Sequence, residues 1–384
     1  MENPYQIFDK ARPVEAAEAR EAVKAAKSFL LDYSFLTSDS NAKLSKRLEQ
    51  RLTTRADSNQ RLAERFGVSN AFTVRNKDSK QDFKSDVTKK MRAVLSLGPA
   101  TTKKTDTGIE DWQPLILWAG QYAADALDHR AKCNLVEVVQ FVTLKLSIKY
   151  IFKVDDHDWA SQVEKSYVDF IASKAEPTNR PAWENQIGLH LALRNIIGGD
   201  AETDPMVPET NPMNYLLPTY ETVWRVILRG LIEVLRSSGN ATKWRESLQS
   251  CLITPLKGNE RVWRTVENEE SQIPPIDVIK EIMRLHPPTR RRREYYCQSK
   301  EDNIKLMERE LGFMSFALIC PSDDWASRAF GMKIICILVS VLCEKVKDEE
   351  AGWNLEPLDL LSRPLSAERT AFQNGELELS SDRK

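Results

Sequence analysis

The stretch between Trp112 and Phe152 carries apolar residues at spacings that predict a helix with no polar side. A helix that is apolar all round is buried inside a protein rather than placed on its surface. Only 14 of the 384 residues are glycine, which disfavours a β protein with many turns. The sequence therefore predicts a mainly α fold. The apolar positions in the second half of the stretch are Leu135, Val136, Val138, Val139, Phe141, Val142, Leu144 and Leu146.

Further helices are predicted along the chain, and a chain of this length can bury them in one core. Helical spacing occurs over residues 14–65, 87–97, 215–236, 275–285 and 326–346. Between them, residues 197–214 hold two Gly and three Pro, which predicts an exposed loop. We predict one helical domain over residues 1–355 and a polar C-terminal tail over residues 356–384 that frays.

The charge of the chain gives no reason to expect nucleic acid or an anionic membrane as a partner. There are 55 basic and 56 acidic residues, with a formal net charge of -1. The longest strongly apolar run, residues 334–343, is about half of the ~20 residues that span a bilayer. The residues that follow Met1 show no basic segment before an apolar stretch. We therefore expect no nucleic-acid partner, no membrane anchor and a cytoplasmic location.

The six cysteines are scattered, without the paired spacing that a zinc site or a disulfide framework favours. Cys336 and Cys343 lie seven residues apart in an apolar run and would share a helix face. We interpret both as core residues and expect reduced thiols throughout. The complete set is Cys133, Cys251, Cys297, Cys320, Cys336 and Cys343.

A Glu-x-x-Arg pattern followed by two prolines is the sharpest local signal in the chain. Glu281 and Arg284 lie three residues apart, so both project from one helix face and can pair. Pro287 and Pro288 then end the helix. The bare pattern favours a solvated ion pair on a helix surface. Because it is followed directly by Leu-x-Pro-Pro-Thr-Arg, the signal becomes much more specific.

Residues 281–288 resemble the K helix and the Leu-x-Pro-Pro segment of the cytochrome P-450 superfamily, the haem-thiolate monooxygenases. In that family the Glu-x-x-Arg pair stabilises the core on the haem side. The basic run 290–293 stands where members often have Thr-Arg-Arg, with a solvated basic patch as the alternative. Residues 66–73 are similar to the segment before the substrate loop of some fungal members. The resemblance implies a divergent, shortened, single P-450-like domain, mainly α with a small β portion.

Residues 218–225 resemble the central I helix of the same family. In that helix an acid and an alcohol pass protons on the distal side of the haem. Glu221 and Thr222 supply such a pair, so the resemblance implies them as catalytic residues. Pro218 and Tyr220 stand in or next to positions that the family usually fills with Ala and Gly, and a tyrosine ring there would crowd the oxygen groove. The alternative is a capped amphipathic helix in which Thr222 is structural.

Cys320 is the residue that the resemblance implies as ligand of the haem iron. Phe313 precedes it by seven residues, as in the family, and a long predicted helix follows. Ligation needs a deprotonated cysteine, and the family's glycines let the chain wrap close to the sulfur. Met314 and Phe316 replace those glycines here, and Leu318 replaces the basic residue that meets a haem propionate. A buried structural role for Cys320 is the alternative.

An aspartate-rich segment offers a rival interpretation. Residues 155–158 have the sequence Asp-Asp-His-Asp, and aspartates can hold magnesium against a diphosphate, as isoprenoid cyclases do. The second acidic motif that such enzymes need is not evident, so we interpret the segment as a charged cap or loop. His129, His190 and His286 show no metal-ligand spacing, and we expect structural roles for them.

Three functions therefore stay open. The first is a haem-thiolate monooxygenase that acts on a lipophilic secondary metabolite, with haem on Cys320 and a reductase as redox partner. The second is a haem-free protein of the P-450 fold that acts as a cyclase or isomerase in secondary metabolism. The third is a non-catalytic protein that binds a small molecule. Bound haem separates the first from the others, and turnover without haem separates the second from the third.

Overall fold

The computed structural model of the chain describes residues 53, 56–57, 59–69, 73, 112–127, 131–152, 181–197, 204–208, 210–221, 223–236, 239–253, 273–286, 330–347, 353–356, 372 and 374–379. Helices make up 76% of this part, and its strands form one small sheet. The prediction of a mainly α fold is confirmed. The likeness to the P-450 fold stays a prediction. The predicted helix over residues 87–97 lies outside the described residues, as does most of the one over residues 14–65.

The helices and strands follow one another in a clear order. The first are α1 (Gln60–Phe66), α2 (Gln113–Leu127), β1 (Lys132–Asn134), α3 (Leu135–Phe152), a 3-10 turn (Trp183–Asn185) and α4 (Ile187–Ile197). Next are α5 (Met213–Leu216), a π-helical turn (Leu217–Glu221), α6 (Val223–Leu235), α7 (Gly239–Ile253), α8 (Pro275–Leu285), α9 (Phe330–Lys347), β2 (Trp353–Glu356) and β3 (Glu376–Leu379). The predicted helices over residues 215–236, 275–285 and 326–346 correspond to α5–α6, α8 and α9.

The helical pattern predicted over residues 112–152 is interrupted by β1, so the prediction of one continuous run is wrong. Helix α2 ends at Leu127, and α3 begins at Leu135. Asn134 ends the strand, and its Oδ1 accepts a hydrogen bond from the backbone N–H of Glu137 at 3.1 Å. Asparagine is a favoured residue for this capping position. The cap starts α3 anew, while the residues of β1 pair with β3.

Helix α3 is buried on nearly all sides, as its apolar pattern predicts. Even its polar residues Gln140, Thr143 and Ser147 are buried. The hydroxyl of Thr143 donates to the carbonyl oxygen of Val139 at 2.6 Å, which satisfies it within the helix. Helix α3 packs against α2, α5, α6 and the π-helical turn. It therefore forms the wall of the core next to the π-helical turn.

Helix α9 joins several other helices into one core. It packs against α2, α6, α7 and α8, and its residues 331–343 are all buried. On α6, a Cβ at Gly230 would lie 3.1 Å from Cδ1 of Ile282 and 3.3 Å from Cγ2 of Val339. The close approach of α6 to α8 and α9 therefore favours glycine at this position. None of the described helices is long and apolar enough to cross a membrane.

Helix α8 has the bounds that the sequence predicts. Pro275 occupies the first helical turn, where its missing N–H leaves no helical bond unmade. Glu281 is half-buried on this helix, while the side chain of Arg284 lies outside what the structure describes. Their ion pair therefore stays a prediction. The buried face of α8 consists of Ile276, Val278, Ile279, Ile282 and Met283.

Strand β3 lies between β1 and β2 in an antiparallel sheet, although it comes last in the chain. Its residues alternate, so Leu377 is fully buried while Glu376 and Glu378 stay partly exposed. Nζ of Lys132 on β1 lies 2.5 Å from Glu376 Oε2 and 2.6 Å from Glu378 Oε1. The prediction that residues 356–384 form a frayed polar tail is wrong for this strand, because it pairs with the helical domain and buries a leucine.

Candidate functional site

The chain between α5 and α6 forms a π-helical turn, Leu217–Glu221, instead of a regular α-helix. Pro218 has no N–H and cannot donate the bond that an α-helix needs at this position. The hydroxyl of Thr219 lies 2.7 Å from the carbonyl oxygen of Tyr215 and 3.2 Å from that of Leu216. These contacts satisfy carbonyl groups at the irregular turn. The predicted helix is therefore present, but irregular at its start.

Glu221, the predicted relay acid, is the last residue of this turn. Its carboxylate accepts a hydrogen bond from Nη2 of Arg225, with which it forms an ion pair. Both side chains are 18% exposed, so the pair lies mostly inside the protein. The candidate residues drawn from the sequence do not include Arg225, although Glu followed by Arg four residues later indicates such a pair. Helix α6 itself therefore positions the carboxylate of Glu221.

Buried hydroxyl groups lie beside the π-helical turn. The hydroxyl of Tyr150 on α3 is 3.4 Å from that of Ser147 and also bonds the side chain of Thr219. Burial raises the pKa of Tyr150 above its usual range, so this phenol stays neutral. Tyr220 is itself fully buried, at a position next to those where the resemblance implies small residues. The turn is therefore packed with large side chains.

The other two predicted site residues, Thr222 and Cys320, lie outside the described residues. The same holds for residues 312–321 around the cysteine and for the aspartate-rich segment 155–158. Thr222 as the relay alcohol and Cys320 as the iron ligand therefore stay predictions. Of the three predicted site residues, Glu221 is the one that lies within the described part of the chain.

Two of the described cysteines, Cys336 and Cys343, lie in surroundings that do not suit a haem-iron ligand. Burial raises the pKa of Cys336 well above its usual value and that of Cys343 to about 11. Iron ligation needs the thiolate, which these environments disfavour. Cys320 stays the candidate that the resemblance implies. Among the described residues, no group of three or more His, Cys, Asp or Glu is placed to hold a metal ion. The described cysteines, all buried and none of them in a disulfide bond, are Cys133, Cys251, Cys336 and Cys343.

A second polar cluster, centred on Glu233, joins the ends of α6 and α8 to the middle of α7. The carboxylate of Glu233 lies 2.8 Å from Nη1 of Arg236 and 2.8 Å from Nε2 of His286, all three side chains being 11–14% exposed. Nη1 of Arg245 on α7 donates to the carbonyl oxygens of Val234 at 2.5 Å and Arg236 at 2.9 Å. A basic side chain thus caps the end of α6. The contact with Glu233 fits the structural role expected of His286.

A buried junction connects the end of α1 with the start of α5. The side-chain amide of Asn211 donates to the carbonyl oxygen of Phe66 at 2.8 Å, and Oδ1 of Asn214 accepts from the N–H of Ser69 at 2.8 Å. Between these bonds, Gly67 ends α1 with a φ of 60°. The segment that resembles the part before a substrate loop is therefore fixed at its beginning by two asparagines.

His190 on α4 is buried beside Trp183, with ring centroids 4.3 Å apart. Its Nε2 has no hydrogen-bond partner within the part of the chain that the structure describes. Burial is the main cause that lowers the pKa of His190; a backbone hydrogen bond with Trp183 opposes it, and the charge of Arg194 lowers the pKa further. His190 therefore packs against Trp183, in keeping with the structural role expected of it. Its buried position favours the neutral ring.

We expect His190 to make the protein less stable in acid. The unfolded chain binds a proton at this histidine near pH 6.5, whereas the folded chain does so only at lower pH. Between these two pH values the free energy of unfolding decreases as the pH is lowered, by at most ~1.4 kcal/mol per pH unit. His190→Phe keeps a ring against Trp183 and should lose this part of the slope. Denaturant unfolding at a series of pH values below neutrality measures it, and equal slopes would contradict the assignment.

No protein-family model, curated protein or solved structure matches the chain. The mainly α class is established by the helices and the small sheet described above. The likeness to haem-thiolate monooxygenases rests on the motifs at residues 281–288, 218–225 and 313–320. What that likeness says about function is therefore a matter for proposal and experiment.

Proposed function

We propose that the chain is a haem-thiolate oxidoreductase of the cytochrome P-450 type that acts on a lipophilic secondary metabolite. The observation that supports the proposal is the π-helical turn Leu217–Glu221. Such turns are rare and occur frequently at functional sites. This turn lies in the segment that resembles the I helix, and it ends on the candidate relay acid. The irregular backbone and the candidate acid thus coincide.

In this proposal, Cys320 binds the haem iron, and Glu221 and Thr222 carry protons at their carboxylate and hydroxyl oxygens. Haem, when bound, activates dioxygen with electrons that a partner reductase supplies. The protein itself positions the candidate acid, because Arg225 forms an ion pair with the carboxylate of Glu221 at the end of the turn. We also propose a cytoplasmic location, with no nucleic acid as partner.

The visible spectrum of the purified protein tests this proposal. We expect ferrous protein with carbon monoxide to show the long-wavelength band of thiolate-ligated haem, because a cysteine thiolate on the iron would produce it in this family. Cys320→Ser should abolish the band and leave the far-ultraviolet circular dichroism unchanged. Cys343→Ser is the matched control and should keep the band, because that thiol is buried in the core with a raised pKa.

A colourless protein that cannot be reconstituted with haem would overturn the proposal and favour a second candidate. That candidate is a haem-free protein of the same fold, either a cyclase or isomerase or a non-catalytic binder of small molecules. The specific observation in its favour is that Tyr220 is fully buried and fills space beside Glu221. Turnover of a lipophilic metabolite by the colourless protein would indicate the enzyme. Stabilisation by the metabolite without turnover would indicate the binder.

A further inference from the structure

Two cysteine thiols meet where α7 contacts α9. The Sγ atoms of Cys251 and Cys336 are 3.4 Å apart, and both residues are fully buried. Cys251 lies near the end of α7, and Cys336 lies within α9. The described residues thus bring together two nucleophilic groups that the proposed function does not use.

A buried hydrogen bond fixes the two helices beside these sulfur atoms. The hydroxyl of Ser340, one helical turn after Cys336, lies 3.0 Å from the carbonyl oxygen of Leu248 on α7. Leu248 precedes Cys251 by about one turn. A slip of α7 along α9 would break this contact, so the two thiols stay opposite each other.

The distance between the thiols is short enough to close. A disulfide bond is about 2.05 Å long, so the sulfur atoms must approach each other by roughly 1.4 Å. Cys251 lies two residues before α7 ends at Ile253, and helix ends adjust more easily than helix centres. Cys336 can therefore keep its place in α9 while the end of α7 moves.

We propose that Cys251 and Cys336 form an intramolecular disulfide that links α7 to α9, with a low-molecular-weight disulfide such as oxidised glutathione as the oxidant. One cysteine, as thiolate, attacks the small disulfide, forms a mixed disulfide and releases one small thiol. The second cysteine loses its proton and attacks the protein sulfur of the mixed disulfide, which releases the second small thiol. Two protein thiols are oxidised, one small disulfide is reduced, and the two protons end on the small thiols.

Burial decides when this exchange takes place. In the folded protein the thiol of Cys336 is enclosed, and burial raises its pKa well above the usual value. Exchange requires a thiolate in contact with the oxidant. The link therefore forms when α7 and α9 separate, during folding or local opening. Once formed, it is shielded from reduction in the same way.

The test incubates the full-length folded protein with oxidised glutathione, with and without urea below the unfolding transition. Remaining thiols are alkylated, and peptides are mapped by mass spectrometry without reductant. We expect a linked peptide pair that contains Cys251 and Cys336, formed several-fold faster with urea. Hydrogen exchange of the α9 amides under the same conditions shows that the helix contact opens. If it opens and these two thiols stay free, or bond only to other cysteines, the proposal is wrong.

Two variants and a melting experiment complete the test. Cys251→Ala should abolish the linked pair, whereas Cys343→Ser should keep it, because that buried cysteine of α9 is not the one beside Cys251. A link between residues 251 and 336 closes a long loop, so the linked protein should melt about 5 °C higher than the reduced protein. Cys251→Ala should melt at the same temperature after incubation with oxidised glutathione as in its reduced form.

Discussion

Replacing Gly67 with alanine is expected to lower the free energy of unfolding by about 2–5 kcal/mol. Gly67 has a φ of 60°, a conformation that costs a residue with a side chain roughly 1–2 kcal/mol. A Cβ at this position would also lie 2.5 Å from Cδ1 of Trp183 and 2.8 Å from Nδ2 of Asn211. Relieving such overlaps in a packed core typically costs ~1–3 kcal/mol.

Neither neighbour can move away without losing a hydrogen bond. Nε1 of Trp183 donates to the carbonyl oxygen of Pro205 at 3.2 Å, and Nδ2 of Asn211 donates to that of Phe66. Gly120 on α2 is the matched control, because a Cβ there would meet no atom within 4 Å. Gly120→Ala should stabilise the protein by roughly 0.5–1 kcal/mol through helix propensity. Urea unfolding of both variants measures the two changes in the free energy of unfolding. A Gly67→Ala variant that is as stable as the Gly120→Ala variant would refute this account.

The parts of the fold that the sequence predicts are those with local causes. Helix α8 begins at Pro275 and ends before Pro287, because proline favours the first turn of a helix and forbids its continuation. The burial of α3 follows from apolar residues on all its sides. The pair of Glu221 and Arg225 is equally local, and its i,i+4 spacing indicates it, although Arg225 is not among the candidate residues predicted above.

The parts that the sequence does not predict depend on segments far apart in the chain. Strand β3 has only four residues, and its place in the sheet depends on the pairing with β1 and β2. Glu233 and His286 are separated by 53 positions, and neither has a neighbour that indicates the other. The same holds for Cys251 and Cys336, which carry no spacing signal. Such contacts follow from which helix faces meet, and periodicity describes one helix at a time.

Removing the carboxylate of Glu233 is expected to have the second large effect, a loss of about 3 kcal/mol in the free energy of unfolding. The substitution Glu233→Ala takes a carboxylate partner from both Arg236 and His286. The three side chains are at most 14% exposed, so water cannot readily replace the lost contacts. The cluster also ties the end of α6 to the end of α8. Glu233→Gln should lose less, because its amide oxygen still accepts a hydrogen bond.

The pair of Asp277 and Lys280 on α8 provides a matched control. It has the same i,i+3 spacing and the same 2.8 Å distance as Glu233 and Arg236, but its side chains are 47% and 52% exposed. Solvent screens such a pair, so Asp277→Ala should cost less than about 1 kcal/mol. Denaturant unfolding of both variants under one set of conditions compares a buried with an exposed ion pair. Equal losses would mean that Glu233 contributes no more than a surface carboxylate and that α6 and α8 are held together by apolar packing alone.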